Sequence, residues 1–423
     1  MRRREWDPAI YRAKQVIIAG DEMQLPPANL FRGSLSDNEE EEPEFDVDES
    51  QSLLNLAKRR FPEKILQWHY RSKSEELINF SNHAFYHGQV QIAPNVQPLK
   101  QPAAIQWKKV DGLWAHQQNE IEAHEVVELL KQQLVINPNQ TVGIITFNAK
   151  QQDKILDLID KKIQEDPEFE AMYHQVMSRD LDERIFVKNI ENVQGDERDV
   201  IIFSIGYAKN HEGKVYNRFG TLNQHGGENR LNVAVSRAKE KIHVVSSIEP
   251  HELNVANAKN QGPRLLKAYL EYAKAVSNVE HEQVNHVLKQ VNEQSNIQKQ
   301  EGQLHFDSTF EEEVYQQLRA IGYEVNTQLG LSGYRIDLAI IHPNDPQKYI
   351  LGIECDGAMY HSSKNAKERD VYRQKFLESR GWKITRIWSR NWWRNPTTET
   401  ERIDQMVRSM VQQEQSKQKV ESM

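Results

Sequence analysis

The sequence predicts an α/β protein with two parts, and three observations lead to this prediction. Short apolar runs that suit buried strands alternate with amphipathic stretches that suit helices, which is typical of a mostly parallel sheet with helices on both faces. A stretch rich in Gln, Asn, Glu and Lys interrupts this alternation at residues 277–303, and a second alternation follows it. The 423 residues suffice for two or three separate cores.

Each element of the first part, residues 1–276, is predicted from a local pattern. Strands are predicted at apolar runs bounded by polar or turn-forming residues, over residues 15–19, 105–110, 142–147, 185–187, 200–205 and 242–246. Helices are predicted where apolar residues recur every three or four positions, over residues 120–134, 150–163 and 265–276. Ligands of such sheets gather at the carboxyl ends of the strands.

The second part, residues 304–396, is predicted to be a smaller α/β domain behind a polar linker, residues 277–303, which could be partly helical. Its predicted helices cover residues 308–320 and 366–380. Its predicted strands cover residues 323–327, 334–341, 349–355 and 383–388. Residues 397–423 are predicted to form a polar tail that frays after about residue 411.

Composition excludes several classes of protein. The chain is 38% hydrophobic and 27% charged, and no apolar run approaches the roughly 20 residues of a membrane-spanning helix. We therefore expect a cytoplasmic protein with no membrane partner. Because Cys355 is the only cysteine, an internal disulfide and a cysteine-cluster zinc site are excluded, and a metal ion would need oxygen or imidazole ligands.

Charge is distributed unevenly along the chain, whose net charge is −8. Nine acidic residues and no basic residue lie between positions 37 and 49, a block typical of a solvated loop. Between positions 364 and 394, ten Lys or Arg residues stand against three Asp or Glu, together with four of the eight tryptophans. A basic, aromatic surface suits a nucleic-acid partner, although a solvated helix face followed by core tryptophans would give the same pattern.

Four motifs in the first part resemble those of a known family. They are GDEMQLPP at 20–27, HYRS at 69–72, VQGDERD at 193–199 and RLNVAVSRAK at 230–239. In this order they resemble motifs III, IV, V and VI of superfamily 1 DNA helicases, over roughly residues 1–275. The resemblance implies the second RecA-like domain of such a motor, a parallel sheet with flanking helices.

Five residues of these motifs are expected to handle ATP. A rigid guanidinium neutralises the charge that develops on the γ-phosphate, so Arg71 and Arg237 are the arginine-finger candidates. Gln24 resembles the residue that senses the γ-phosphate. Gly195 would allow close backbone approach, and Glu197 resembles the carboxylate that binds the nucleotide sugar.

The sequence departs from the helicase family in one respect: it contains no P-loop motif. A phosphate-binding loop needs Gly-x-x-x-x-Gly-Lys-Ser/Thr at the start of a helix, and these 423 residues contain no such run. We therefore expect no ATPase activity from this chain alone. ATP with Mg²⁺ would be used only together with the first RecA-like domain. The chain could be a fragment, a truncated gene product or one half of a split protein, in which case that domain would lie on another polypeptide.

Four motifs in the second part resemble a nuclease. They are FEEEVYQQL at 310–318, GYRIDLAI at 333–340, LGIECDGAMYH at 351–361 and the run KERDVYRQKFLESRGWKITRIW at 367–388. Together they resemble a PD-(D/E)xK nuclease of the restriction-endonuclease-like fold, and most of all the small family related to very-short-patch repair endonucleases. The resemblance implies a Mg²⁺-dependent DNA endonuclease domain.

Three acidic residues on predicted strands are the candidate Mg²⁺ ligands. Hydrolysis of a phosphodiester needs a cation that polarises the phosphoryl oxygen and lowers the pKa of water, and Mg²⁺ prefers carboxylate oxygens. Asp337 ends one strand, and Glu354 and Asp356, two apart on the next, share a face. A single strand carboxylate is more often a salt-bridge partner, but three among apolar residues are costly to bury without a cation. Glu311 or Glu312 could add a ligand.

The general acid or base of this nuclease stays open, because the family pattern has Lys where this chain has Asp356. By resemblance, His361 could activate water or steady the leaving group, although a lone His is more often structural. Lys364 or Lys367 could replace the missing lysine. Three further supporting residues lie within about one helical turn, where the acidic one could brace an arginine on the scissile phosphate: Arg369, Asp370 and Arg373.

Two hypotheses of function compete. The first is the C-terminal part of an ATP-dependent helicase–nuclease that moves along DNA and cuts it, in repair or in defence against foreign DNA. The second is a non-catalytic fragment that binds nucleic acid or a partner polypeptide and uses its carboxylates for structure. A third possibility is an inactive remnant of a broken gene.

Overall fold

The computed structural model describes residues 12–25, 52–58, 60–97, 102–215, 218–293, 309–330, 335–356 and 364–421. The chain divides into two compact units whose segments interleave along the sequence. The first unit consists of Met1–Leu66, Lys108–Arg237 and Val244–Leu270, and the second of Gln67–Trp107, Ala238–His243 and Glu271–Met423. The acidic block at 37–49 lies outside the described residues.

Helices and strands alternate along the described chain, as predicted. The strands are β1 Ile105–Lys109, β2 Val142–Thr146, β3 Phe186–Asn189, β4 Arg198–Ser204, β5 Ala238–Ser246, β6 Val325–Leu329, β7 Ile336–His342, β8 Asp345–Asp356 and β9 Ile384–Trp388. The helices are α1 Leu53–Lys58, α2 Glu76–Phe85, α3 Glu120–Ile136, α4 Ala149–Glu165, α5 Pro167–Met177, α6 Gly227–Val235, α7 Gln261–Ser277, α8 His281–Glu293, α9 Thr309–Ala320, α10 Lys364–Ser379, α11 Ser389–Arg394 and α12 Pro396–Glu421.

Five of the described strands form the larger sheet, in the order β1-β5-β4-β2-β3. Strand β2 pairs in parallel with both β3 and β4, and all five of its residues are buried. Helices α3, α4 and α5 pack on this sheet through Leu130, Ile155 and Phe169, none of which is exposed. The predicted parallel sheet with flanking helices is therefore confirmed.

The helices of this sheet begin where polar side chains cap them. Asn119 accepts a hydrogen bond from the backbone N–H of Glu122 at the start of α3. Asn148 and Asp166 accept in the same way at the starts of α4 and α5. These caps satisfy N–H groups that have no partner within the helix, which fixes the residue at which each helix begins.

Four described strands form the smaller sheet, in the order β6-β7-β8-β9. Strands β6, β7 and β8 pair antiparallel in sequence, and β9 joins β8 in parallel. One face carries Leu338, Ile353 and Ile387 and packs against α9 and α12. The second predicted α/β domain is thus present as a smaller mixed sheet.

The segment between residues 67 and 97 packs on the smaller sheet within the second unit. The indole N–H of Trp382 donates to the carbonyl of Pro94 at 2.8 Å. The backbone N–H of Tyr349 donates to the carbonyl of Val96 at 2.9 Å. The ring of Trp68 meets that of Phe376 edge-on, with centroids 5.1 Å apart. The second unit therefore includes a segment that lies far from its sheet in sequence.

The predicted polar linker is partly helical, an outcome that the sequence left open: it includes α8, whose Val284 and Val287 are buried. The segment predicted to be a frayed polar tail is helical instead. Most of the predicted tail forms α12, whose Ile403 and Val407 are buried in the core of the smaller sheet. In both helices the apolar residues recur at intervals of three or four, which makes one narrow stripe that a polar composition conceals.

The strand predicted over residues 15–19 is also corrected, because the described chain has no strand there. The side chain of Ile17 is 86% exposed. An apolar run becomes a strand only where another strand pairs with it, and none of the described strands pairs with this run.

Among the described helices, none is long and apolar enough to cross a membrane.

Candidate functional site

A row of polar side chains crosses the smaller sheet. Strand register explains it: Glu354 on β8 pairs directly with Arg386 on β9, and Leu338 on β7 pairs with Ile353 on β8. Continuing the antiparallel register by one residue places Asp337 beside Glu354. Residues that lie opposite each other on neighbouring strands share a face of the sheet.

The row extends to the edge strand. On β6, Thr327 and Leu329 pair with residues that flank Asp337, so that Gln328 lies next to it. Gln328 has a φ of 48°, in the left-handed region that costs a non-glycine residue on the order of 1–3 kcal/mol. Its amide donates to Glu311 Oε2 at 3.0 Å. A strained backbone thus holds a contact to Glu311, which is only 5% exposed.

The carboxylates of Glu354 and Asp356 are neutralised by arginines. Arg386 Nη2 lies 3.2 Å from Glu354 Oε2, and Arg386 Nη1 lies 3.1 Å from Asp356 Oδ2. Arg373 Nε lies 3.3 Å from Glu354 Oε1, and Arg373 Nη2 donates to the carbonyl of Arg335 at 2.8 Å. Glu354 is 4% exposed, so these ion pairs are weakly screened by solvent.

Asp337 carries a perturbed carboxyl group. Burial, together with the negative charges of Glu311 and Glu354, raises the pKa of Asp337 to about 7. The N–H of Cys355, which donates to Asp337 Oδ2 at 2.7 Å, and the charge of Arg373 oppose this rise of the pKa. Raised pKa values among clustered carboxylates are typical of functional sites, although structural networks also produce them.

The donor chemistry of this cluster suits Mg²⁺, but its arrangement in this structure does not. Carboxylate oxygens are the ligands that Mg²⁺ prefers. Within the described part of the chain, however, no group of three or more His, Cys, Asp or Glu residues is placed to hold a metal ion. The guanidinium of Arg386 contacts both Glu354 and Asp356. Asp337, Glu354 and Asp356 are thus near neighbours without forming a metal centre.

The supporting residues predicted from the sequence meet different outcomes. Arg373 contacts Glu354 as described above. His361 lies outside the described residues, and so do the side chains of four residues on α10: Lys364, Lys367, Arg369 and Asp370. Their predicted roles stay predictions.

Sequence reasoning did not single out Arg386 or Gln328. One signal could have identified Arg386: it is a lone charge in the apolar run 384–388, where alternation places it on the face opposite Ile387. Gln328 gives no such signal, because its role depends on a left-handed backbone conformation within β6.

Four of the five residues predicted to handle ATP belong to the first unit, in and beside a short turn. Gln24 Nε2 donates to Asp21 Oδ2 at 3.0 Å within this turn. Helix α6 holds the turn from outside, since Asn232 Nδ2 donates to the carbonyl of Met23 at 2.7 Å and Asn229 Nδ2 to that of Gln24 at 3.2 Å. The motif that contains Gln24 is therefore docked on the helix that leads to Arg237.

Gly195 and Glu197 belong to the loop beside this turn. Gln194 Nε2 donates to the carbonyl of Leu25 at 3.2 Å. Gly195 has a φ of 90°, and a Cβ atom added there would meet nothing within 4 Å. The glycine is thus required for its backbone conformation, and the space next to it is open. Glu197 is half-buried and follows two residues later.

Arg237 is 3% exposed, and its guanidinium contacts the protein rather than solvent. Nε donates to the carbonyl of Val233 at 2.7 Å, and Nη1 donates to the carbonyl of Asp196 at 3.3 Å. Gln24, Gly195, Glu197 and Arg237 therefore belong to one connected set of loops in the first unit. In this structure Arg237 fixes the loop of Gly195, a positioning contact that sequence reasoning did not predict.

Arg71 lies in the second unit, in the loop that contains the HYRS motif. Burial and the charges of Arg71 and Arg380 lower the pKa of His69 to about 4, so its imidazole is neutral. His69 Nε2 accepts a hydrogen bond from the N–H of Ser72 at 3.0 Å. Arg380 Nη2 donates to the carbonyl of Tyr70. This loop is thus fixed by its own histidine and by the end of α10.

Two protein families match the chain. Residues 49–249 match AAA_12, described as AAA domain, and residues 310–407 match REase_MTES_1575. The uncharacterized ATP-dependent helicase MG140 of Mycoplasma genitalium is 33% identical over 406 residues, which are 92% of this chain and 34% of that protein. The chain is similar to ATP-dependent helicases. It combines a helicase-like AAA domain with a restriction-endonuclease-like domain.

Two further relatives carry the same description. The MG140 homolog of Mycoplasma pneumoniae is 33% identical over 406 residues, again 92% of this chain and 34% of that protein. The uncharacterized ATP-dependent helicase MJ0104 of Methanocaldococcus jannaschii is 24% identical over 291 residues, which are 66% of this chain and 37% of that protein. The chain thus spans about a third of the length of the curated relatives that it matches.

Proposed function

We propose that this chain is part of an ATP-dependent DNA helicase–nuclease, and that its smaller sheet cuts the DNA phosphodiester backbone. The observation that carries the nuclease proposal is the polar row formed by Gln328, Asp337, Glu354 and Arg386 across all strands of that sheet. Buried charges in a row are costly for a fold that needs only a core. The match to a restriction-endonuclease-like family supports the same proposal.

The chemistry assigned to this row is hydrolysis of a phosphodiester with the help of Mg²⁺. A divalent cation, when bound, supplies charge for the phosphoryl oxygen and lowers the pKa of water. Asp337, Glu354 and Asp356 provide the negative charge that attracts such a cation, and Glu311 adds to it. Arg373, which already pairs with a carboxylate of the row, is suited to hold a phosphate oxygen next to it.

For the AAA half we propose a response to ATP rather than its complete hydrolysis. The turn of Gln24, the open space beside Gly195 and the side chain of Glu197 suit contacts with a nucleotide that another RecA-like domain binds through a P-loop. Arg71 and Arg237 are proposed to neutralise its γ-phosphate. The names of the relatives, ATP-dependent helicases, support the use of ATP. Mg²⁺ and a domain or partner polypeptide that carries the P-loop complete this proposal.

The nuclease proposal is tested by DNA cleavage. Purified chain is incubated with supercoiled plasmid and with single-stranded DNA, in Mg²⁺ and in chelator, and products are resolved on gels. We expect cleavage only with the divalent cation, and loss of cleavage by at least about a hundredfold in Glu354→Gln and in Asp337→Asn, which remove charge without changing shape.

Asp345→Asn is the matched control for these variants. It lies at the other end of β8, where its carboxylate accepts from the N–H of Gln347 at 3.1 Å, and asparagine keeps that acceptor. Cleavage by this control should equal that of the wild type. Cleavage that survives in both Glu354→Gln and Asp337→Asn would refute the assignment of the site.

A second candidate function is binding of nucleic acid without cleavage. The arginine contacts of Glu354 and Asp356, and the result that no described group of three or more His, Cys, Asp or Glu is placed to hold a metal, favour it. In that case the carboxylates hold the arginines in place for phosphate contacts. A gel-shift titration separates the two functions: DNA binding with no cleavage in Mg²⁺, Mn²⁺ or Ca²⁺ supports the second.

A further inference from the structure

Arg386 bears on both proposed functions, DNA cleavage and DNA binding without cleavage, because its guanidinium contacts both carboxylates at the end of β8, those of Glu354 and Asp356. The nuclease pattern that the chain resembles has a lysine at the position of Asp356, and here that position carries the opposite charge. We infer that Arg386 supplies the missing cationic group from the neighbouring strand and competes with a divalent cation for the oxygens of Glu354 and Asp356. This inference rests on the proposed nuclease site.

The geometry of the contact is that of a fork. Each terminal nitrogen of Arg386 meets a different carboxylate, at 3.2 Å for Glu354 and 3.1 Å for Asp356. The direct register of Glu354 with Arg386 on adjacent strands fixes this placement. A planar guanidinium can hold two carboxylates at once, whereas an ammonium acts as a single point charge.

Burial makes the contact strong. The exposed fraction of the side chain is 18% for Arg386, 18% for Asp356 and 6% for Glu354. Charges at such positions interact in an environment of lower effective dielectric than water. Removal of one partner would leave the other charges buried and uncompensated, which is strongly unfavourable unless another cation replaces the partner.

The oxygens that a divalent cation would need are already in contact with arginines. Glu354 contacts both Arg373 and Arg386, and Asp356 contacts Arg386. A divalent cation binds through oxygen lone pairs, and Arg386 holds some of them. Cation binding and the contacts of Arg386 therefore oppose each other.

The experiment measures divalent-cation binding directly. The chain is stripped with chelator, and free Mn²⁺ is followed by electron paramagnetic resonance during titration of the wild type, Arg386→Lys and Arg386→Met. We expect Arg386→Met to bind Mn²⁺ about tenfold or more tightly than the wild type, because the competing charge is gone. Arg386→Lys should lie between them, since one point charge cannot hold both carboxylates.

The matched control is Arg408→Met on α12, where the arginine pairs with Asp404 and its side chain is 73% exposed. Its Mn²⁺ affinity should equal that of the wild type. Equal or weaker Mn²⁺ binding by the Arg386 variants overturns the inference, and so does a lack of saturable binding in all of these proteins. Should Arg386→Met fail to fold, as judged by circular dichroism, Arg386→Lys alone decides in the same direction.

Plasmid cleavage measured on the same samples separates this inference from the proposed function. Tighter Mn²⁺ binding by the Arg386 variants without cleavage by any of the proteins supports the competition and refutes the nuclease. Cleavage by the wild type with unchanged Mn²⁺ affinity in the variants supports the nuclease and overturns the competition.

Discussion

Glu122→Gln is expected to change the pH dependence of stability more than the stability itself. Glu122 lies in the first turn of α3 and has no exposed surface. Its Oε1 accepts from Ser204 Oγ at 2.9 Å and from the N–H of Gly206 at 2.6 Å. Its Oε2 accepts from Asn119 Nδ2 at 3.2 Å and from Ser247 Oγ at 3.3 Å. This carboxyl group therefore links α3 to the ends of β4 and β5.

The sign of the effect follows from the pKa shift. Burial raises the pKa of Glu122 from 4.5 to about 7, although the hydrogen bonds from Gly206, Ser204 and Ser247 oppose this. The folded chain thus holds the proton more tightly than the unfolded chain. Its contribution to stability is complete below the unfolded pKa and is lost as the pH rises through the folded pKa. At about 1.4 kcal/mol for each pKa unit, the loss amounts to ~3 kcal/mol.

The assay is urea unfolding of the wild type and of Glu122→Gln near pH 5 and near pH 8. Glutamine cannot ionise, so the free energy of unfolding of the variant relative to the wild type should rise by about 2–3 kcal/mol between the two pH values. The difference between pH values matters, because the amide also alters the hydrogen bond from Asn119. Glu120→Gln is the control, since Glu120 lies in the same turn with its side chain 65% exposed. Parallel behaviour of wild type and Glu122→Gln at both pH values would refute this reasoning.

Two further predictions concern stability. Gly195→Ala should lower the free energy of unfolding by about 1–2 kcal/mol, because the φ of 90° disfavours any L side chain even though a Cβ atom would meet open space there. Urea unfolding measures this change. An unchanged unfolding midpoint would show that the loop relaxes instead. Trp382→Phe should cost about 1 kcal/mol by removing the hydrogen bond to the carbonyl of Pro94, and a loss near zero in the same assay would contradict the contact.

The sequence predicted the elements of both sheets because their signals are local. Strand β2 was predicted over residues 142–147 and spans Val142–Thr146, and α3 was predicted over residues 120–134 and spans Glu120–Ile136. Buried apolar runs and a helical apolar stripe need no knowledge of neighbours. The predicted fold class followed from the order in which these elements alternate.

The errors came from signals that are not local. Residues 15–19 have the composition of a strand, but no described strand pairs with them, and Ile17 is exposed. Helix α12 shows the opposite error. Its polar composition predicted an exposed tail, whereas Ile403 and Val407 are buried because α9 and the smaller sheet provide a surface for them. Composition describes a segment, while burial depends on what the rest of the chain brings to it.

The candidate nuclease site shows the same limit at the level of single charges. Alternation along β8 predicted that Glu354 and Asp356 share a face, but it could not predict which strand lies beside them. The parallel pairing of β8 with β9 brings Arg386 to that face, about thirty residues away in sequence. The expectation that buried carboxylates need a counter-charge was therefore sound, but a metal ion is not the only group that can provide that charge. In this chain the guanidinium of Arg386 supplies that counter-charge, so we expect any affinity for a divalent cation to depend on the strand pairing as well as on the carboxylates themselves.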